Sequence, residues 1–456
     1  MKKSIQILLV ATSFILSKSI FSQESWTLDD CVAYALAHNL KLNDFEYNIE
    51  SNRETYRQSF RDLLPSIRAV SDYSIRFGRS VDPNDNSISN TDFFSNNYSL
   101  EASLDLFRGF QKLNSIKASK LIYKSAQEEK LQQKYLLAFR IMQAFYDIQF
   151  LKGALAIARE QEAISRTNYN LVKKQIELGL MAGADLYETE SLLLADILNV
   201  TTTANQLVAS KLTLIQEMNL KGVTDITLLM PLREEFKDIE TSEIHSDSIF
   251  NKAKNFIPII RAEELRAKAA KKQLAVERSN LYPSLSLFGG YGTGYYETIT
   301  DSLGVTIPFG NQFKDNTFQF IGVSLNIPIS GGGSLRSKVK QQKIALMRAD
   351  NNLDLQKQEL YQTIQTLVQE YYALQVEYNQ TDKNMEAQKL VFTVAQKRYE
   401  KGLISAIELF TVKNLFATAQ NQNLQVRLRA EVNRSTLDFY RGIPIFNIHM
   451  KNGFGN

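Results

Sequence analysis

Two carboxylates, Asp185 and Glu408, stand at the same short spacing behind a glycine in two copies of one pattern. Glu177-Leu178-Gly179-Leu180 leads to Asp185-Leu186, and Glu400-Lys401-Gly402-Leu403 leads to Glu408-Leu409. At the start of a helix-forming stretch, an acidic side chain favours the dipole of its own helix. The other chemistry-bearing residues do not converge. His38, His245 and His449 lie far apart, and none has a second ligand at metal-binding spacing. Gly290-Tyr291-Gly292-Thr293-Gly294 carries the glycines of a nucleotide loop, but it sits in an alternating strand pattern with no helix behind it. Gly331-Gly332-Gly333 precedes a helix and reads as a bend rather than an anion site. No Ser/His/Asp or Cys/His constellation occurs. The reading assigns no catalytic residue, no cofactor and no metal.

The elements that carry the two carboxylates are long. Lys112 to Glu177 and Ser334 to Glu400 are helix-compatible throughout, and the second contains neither Gly nor Pro. At about 1.5 Å per residue, a helix of roughly 65 residues extends roughly 100 Å. After each tip a Gly- and Pro-free stretch returns, Ala184 to Lys221 and Leu403 to Arg441. The pattern predicts a duplicated helical hairpin. Leu131, Tyr135, Ala138, Met142 and Phe145 form one apolar stripe, and Leu137, Ile141, Ala144, Ile148, Leu151 and Leu155 form a second about 100° around. Such a helix packs neighbours on both sides. Leu360, Ile364, Leu367, Tyr371, Leu374 and Tyr378 give the matching stripe in the second half.

Four shorter segments alternate with period two. Their apolar faces are Ile67, Ala69, Tyr73, Ile75 and Phe77; Tyr98, Leu100, Ala102, Leu104 and Leu106; Leu285, Leu287, Tyr291 and Tyr295; and Ile321, Val323, Leu325, Ile327 and Ile329. They form two hairpins, entered through Leu64-Pro65-Ser66 and Tyr282-Pro283-Ser284, with long polar loops Arg79 to Asn97 and Glu297 to Asn316. Strands of about 10 residues with long loops on one side suit a transmembrane barrel. Four strands cannot close one, and an open edge in lipid leaves backbone groups unpaired. A barrel built from them must be shared among chains.

The first 22 residues read as an export signal: Lys2 and Lys3, an apolar core from Ile5 to Leu16, then Ser17, Ser19 and Ser22. Without them basic and acidic side chains are almost equal in number, so charge gives no support to a nucleic-acid partner. The single cysteine, Cys31, cannot form an internal disulfide and reads as a small buried residue rather than a lipid anchor. Beyond the signal no apolar run reaches the length of a membrane-spanning helix.

The combination resembles the TolC family of outer-membrane efflux proteins over essentially the whole mature chain. The marks are the opening Trp26-Thr27-Leu28-Asp29-Asp30-Cys31-Val32-Ala33-Tyr34-Ala35-Leu36-Ala37-His38-Asn39, the two Pro-Ser strand entries and the paired tips. The resemblance implies a mainly α fold with a β-barrel portion. Antiparallel helical hairpins would form a periplasmic tunnel, and four strands per chain would join a shared twelve-stranded barrel in a homotrimer. The organisation it implies is a signal peptide at 1–22, repeats at 23–221 and 258–442, an equatorial linker at 222–257 and a tail at 443–456. The implied function is a passive exit duct in the outer membrane of a Gram-negative-type bacterium. It would be bedded in outer-membrane lipid and coupled through a periplasmic adaptor to an inner-membrane pump of unassigned class.

The same resemblance assigns roles at the tips. Asp185 matches a carboxylate that bonds to a tyrosine of the second hairpin, and Tyr399 holds that tyrosine's place. Glu408 matches one of two aspartates that ring the entrance; Thr411 stands at the other. An arginine of a second closing link is replaced by Ile404, and its threonine partner by Ala184. Gly179, Leu180, Gly402 and Leu403 match the pair that the adaptor docks against. Threefold repetition of Glu408 about one axis would attract cations and repel anions. A periplasmic coiled-coil adaptor or scaffold would share the helical hairpins but not the strands. A secreted enzyme would need a pocket of convergent titratable groups, and the sequence shows none.

Overall fold

The computed structural model describes residues 25–81, 87–90, 92–180, 182–229 and 244–446. The export signal, Pro231, His449 and most of the 443–456 tail lie outside the described residues. The chain divides into two compact units, one made of Glu46–Glu129 and Ile259–Gln356 and the other of the remaining segments.

The first unit holds a four-stranded antiparallel sheet: β1 (Ser66–Arg76), β2 (Phe93–Arg108), β3 (Ser284–Tyr296) and β4 (Phe318–Asn326), hydrogen-bonded in that order. The register decides what its faces are. Ala69 pairs with Leu100, Leu100 with Tyr291, Ile67 with Ala102, and Leu287 with Leu104 and Val323. Directly opposed residues share a face, so the apolar sets read from the sequence fall on one side as far as the ladders run, up to a bulge at Leu106 that turns Phe107 to that side. The other side carries Arg68 opposite Glu101 and Ser66 opposite Ser103, with Arg68 Nε donating to the Glu101 carboxylate at 2.8 Å. Much of the apolar side is bare, with Ile67, Ile321, Val323 and Leu325 all at least 60% exposed, while Phe313 and Phe309 of the long loop pack on it against Tyr98 and Tyr295.

Strand ends differ from expectation in two places. β2 starts at Phe93 rather than Tyr98, taking residues from the predicted loop. β4 starts at Phe318 and stops at Asn326, leaving Ile327 to Ile329 outside. Pro328 has no N–H to give a ladder, and the strand ends just before it. The loops are not structureless either. Ser80–Val81 pairs with Ile88–Ser89, and a helical turn at Phe309–Asp315 buries Gln312, whose side chain binds both backbone groups of Tyr296.

Gly290, Gly292 and Gly322 lie on the polar side of the sheet. A Cβ added to them would meet the rings of Phe320, Phe318 and Phe288 at 2.8, 2.6 and 2.7 Å respectively. Each ring covers a glycine of the neighbouring strand, which accounts for the run that imitates a nucleotide loop.

The helices of the described residues are α1 (Leu28–His38), α2 (Leu40–Arg61), α3 (Gln111–Glu177), α4 (Gly183–Met218), α5 (Ser246–Ala253), α6 (Pro258–Ser279), α7 (Phe309–Asp315), α8 (Ser334–Glu400) and α9 (Ala406–Tyr440), with the two long hairpins where the sequence predicts them. α3 and α8 are both 67 residues long. α1 opens with a capping box, in which Thr27 accepts from the Asp30 N–H and the Asp30 carboxylate accepts from the Thr27 N–H. Its buried face, with Cys31 and Ala35, joins Leu137, Ile141 and Phe145 of α3 and Leu214 and Met218 of α4 in one core. Burial pushes the Cys31 thiol up to about 12. Within 222–257, Thr227–Leu228 pairs in parallel with Ser25–Trp26, and α5 follows. No helix among the described residues is long and apolar enough to cross a membrane.

Candidate functional site at the hairpin tips

Both hairpins turn in the same way. At the first tip the Leu180 N–H donates to the Gln175 carbonyl at 2.8 Å and the Gly179 N–H to the Ile176 carbonyl at 2.9 Å. At the second, Leu403 donates to Arg398 and Gly402 to Tyr399, both at 2.9 Å. These are Schellman motifs, and the glycines take the left-handed position the motif requires, at φ +74° and +70°. Nothing lies within 4 Å of a Cβ built on either glycine. The leucines that follow are 71% and 63% exposed. Each tip therefore presents an apolar side chain on a backbone whose glycine and leucine N–H groups are already bonded.

The return helices start differently. Ser405 caps α9, its Oγ accepting from the Glu408 N–H at 3.2 Å, which puts Glu408 in the first turn with its side chain exposed. α4 has Ala182 at its cap position and no side-chain cap, with half-buried Asp185 in its first turn. Above the second tip a groove of about 610 Å³ runs between α8 and α9, lined by Leu390, Val394, Arg398, Ile407, Glu408 and Thr411. Ile404 packs against the core of Phe392, Ala395, Leu409 and Phe416, so the position that held an arginine in the resemblance is an apolar contact here. Thr411 donates its hydroxyl to the Ile407 carbonyl of its own helix.

The expected bond from Asp185 to Tyr399 is not made in this conformation. The Tyr399 hydroxyl is buried without a hydrogen-bond partner among the described residues. Burial, and then the charges of Glu188 and Asp185, hold its phenol above the usual range. The carboxylates are thus near enough to be felt and are not bonded.

Deeper in the same unit, Lys413 of α9 forms a buried ion pair with Asp196 of α4; the side chains are 1% and 7% exposed. Lys413 Nζ also donates to Ser165 Oγ of α3 at 2.7 Å and to the Gln161 carbonyl at 3.4 Å, and lies 4.7 Å from the centroid of the Phe410 ring. Burial pulls the ammonium's pKa down and Asp196 opposes that pull. A cavity of about 20 Å³, bordered by Ser165, Thr189, Tyr399 and Lys413, has room for about one water. The sequence reading missed this cluster. Its signal was present: Thr189, Leu193 and Asp196, and Leu409, Lys413 and Phe416, are buried at helical spacing, so each stripe carries one charge where an apolar residue belongs.

No cluster of His, Cys, Asp and Glu among the described residues could hold a metal. His38 stacks on Tyr34 at 4.1 Å. The tips offer ionic and apolar surface.

A family model described as outer membrane efflux protein matches residues 32–219 and 250–442, one stretch in each half. The chain belongs to the outer membrane efflux protein family. This efflux protein is 25% identical to outer membrane protein TolC of Vibrio cholerae over 222 residues, 48% of the chain and 47% of that protein. It is 22% identical to the toluene efflux pump outer membrane protein TtgF of Pseudomonas putida over 411 residues, 88% of the chain and 79% of that protein. Among solved structures, the CmeC outer membrane channel of Campylobacter jejuni superposes with a TM-score of 0.77 at 15% identity, over 91% of this chain and 85% of that one. The efflux protein has the fold of these channels and is a protein of the outer membrane.

Proposed function

We propose that this outer-membrane efflux protein works as a homotrimeric exit duct, passive in itself, with a periplasmic adaptor gripping its hairpin tips and an inner-membrane pump supplying the work. The observation that carries the reading is the sheet. One face is apolar and largely bare, the other carries polar groups such as the paired Arg68 and Glu101 beside the rings of Phe288, Phe318 and Phe320, and β1 and β4 are edge strands. In lipid each unpaired edge group costs several kcal/mol, so the sheet needs further copies on both sides. Three chains supply a closed barrel with the polar face inward.

The tips then form the inner entrance. Exposed Glu408, repeated about the axis, lines it, and Asp185 and Tyr399 of adjacent hairpins are poised to bond when it narrows. Gly179-Leu180 and Gly402-Leu403 give the adaptor an apolar hold. Nothing in this arrangement is catalytic, and the duct selects by charge and width.

The test is reconstitution. Purified protein should migrate as a heat-modifiable trimer and conduct ions in planar bilayers. A monomeric, heat-insensitive, non-conducting protein would rule the duct out.

A further inference from the structure

The unit that holds the sheet carries an unusual distribution of charge. From Gln111 to Gln127, α3 has Lys112, Lys117, Lys120 and Lys124 and no acid; from Ser334 to Ala349, α8 has Arg336, Lys338, Lys340, Lys343 and Arg348 and no acid. The two runs are copies. Under the correspondence that matches Gly179 with Gly402, Leu113, Lys117, Lys120 and Lys124 fall on Arg336, Lys340, Lys343 and Met347. Both sets recur at steps of four, three and four, which is one stripe of a helix.

The face of the α3 stripe follows from its neighbours. Ser115 lines a polar cleft with Ser66, Ser103 and Asp105, all on the polar side of the sheet. Leu113 and Lys117 are two residues from Ser115, about 200° around the helix. The stripe therefore looks the opposite way, towards the side on which the sheet is apolar. Lys117, Lys120 and Lys124 are exposed, as are Arg336, Lys340 and Lys343. None of the six pairs with a carboxylate of the described residues; Lys112, on the cleft side, pairs with Asp105.

Height is set by helix rise. Lys117 and Lys340 lie about 9 Å beyond the first residue of their helices and Lys120 and Lys343 about 14 Å. The interfacial layer of a bilayer adds about 5 to 8 Å beyond the hydrocarbon on each side. Phe107, opposite Leu285 on the apolar side, and Phe110 are exposed at the strand-to-helix junction, where aromatic residues flank a barrel's apolar band. Lysines just below that rim can bend their stems back towards the headgroups.

We propose that this stripe, repeated by α3 and α8, is a collar that binds anionic phospholipid headgroups of the leaflet bordering the helices. The collar rests on the assignment of the sheet's apolar side to lipid. Its apolar face is continuous with that surface, and its charge is complementary to a phosphodiester. Each cation that reaches an anionic surface strengthens binding about fivefold, so even two engaged lysines give a marked headgroup preference.

The test uses intact trimers exchanged into an equimolar mixture of phosphatidylglycerol and phosphatidylcholine, with the retained lipids counted by native mass spectrometry. The comparison is the variant Lys117→Gln/Lys120→Gln/Lys340→Gln/Lys343→Gln, checked for heat-modifiability. Wild type should retain phosphatidylglycerol several-fold over phosphatidylcholine, and the variant should retain both equally while remaining a heat-modifiable trimer. Equal retention by wild type, or an undiminished preference in the variant, overturns the collar alone. Retention of neither lipid, with no heat-modifiable form, overturns the membrane assignment beneath it.

Discussion

Replacing Lys413 by methionine would strand the Asp196 carboxylate where water hardly reaches it, at 7% side-chain exposure. Two routes are open to it. It can stay charged and unpaired, which for a broken buried ion pair costs about 3 to 5 kcal/mol. It can instead take up a proton, which at pH 7, from an ordinary carboxyl pKa near 3.9, costs about 4 kcal/mol. The proton route cheapens to about 1.5 kcal/mol at pH 5. The folded variant would then bind more protons than the unfolded chain, so its stability rises as pH falls. Asp196→Asn is the mirror image. It strands Lys413, whose ordinary pKa is 10.5. Shedding that proton costs about 5 kcal/mol at pH 7 and about 2 at pH 9, so this deficit shrinks as pH rises. Removing both charges, Lys413→Met/Asp196→Leu, should bring stability back to within about 1 kcal/mol of wild type. Unfolding entropy of about 2.1 cal/mol/K per residue makes 1 kcal/mol worth about 1 °C for a chain of 456 residues. Thermal melts of trimers by circular dichroism should place Lys413→Met about 3 to 4 °C below wild type at pH 7 and about 1 to 2 °C below it at pH 5. A deficit unchanged between those pH values, or a double variant as unstable as the singles, refutes the buried-pair reasoning.

Other substitutions probe the tip itself. Glu408→Ala should shift the reversal potential of single channels in a salt gradient away from cation preference; an unchanged potential removes Glu408 from the entrance lining. Gly402→Trp should abolish export in cells while trimers persist in the membrane, and full export would refute adaptor contact at Gly402-Leu403. Tyr399→Phe removes a buried hydroxyl without a partner among the described residues. It should melt at or above the wild-type temperature, since an unsatisfied buried group costs about 1 to 3 kcal/mol; if the mutant channel also opens more readily than wild type, the hydroxyl bonds in the closed state.

The long elements were legible because their signals repeat. Period-two alternation gave all four strands, and their apolar sets meet on one face as the register requires. Stripes such as Leu360, Ile364, Tyr371 and Leu374 are buried as read. What escaped was set by single residues or by contacts distant in sequence. Pro328 ended β4 early, and Gln312 turned a predicted loop into an ordered corner. At the site, Gly179 and Gly402 were readable as turns because only glycine takes that backbone cheaply. The Lys413–Asp196 pair left only a partial trace, one charge in each apolar stripe, and its partners are too far apart in the chain for the sequence to join them. Whether Asp185 and Tyr399 bond is decided by side-chain geometry across two hairpins, of which composition carries no trace.

The equal lengths of α3 and α8, 67 residues each, limit how this chain can evolve. One added turn in α3 alone would displace its tip by about 5.4 Å along the helix and slide contacts between the hairpins out of register, the Lys413–Asp196 pair among them. Length changes in the paired helices must therefore arrive in both halves at once, whereas the loops beyond the strands are free to vary one at a time.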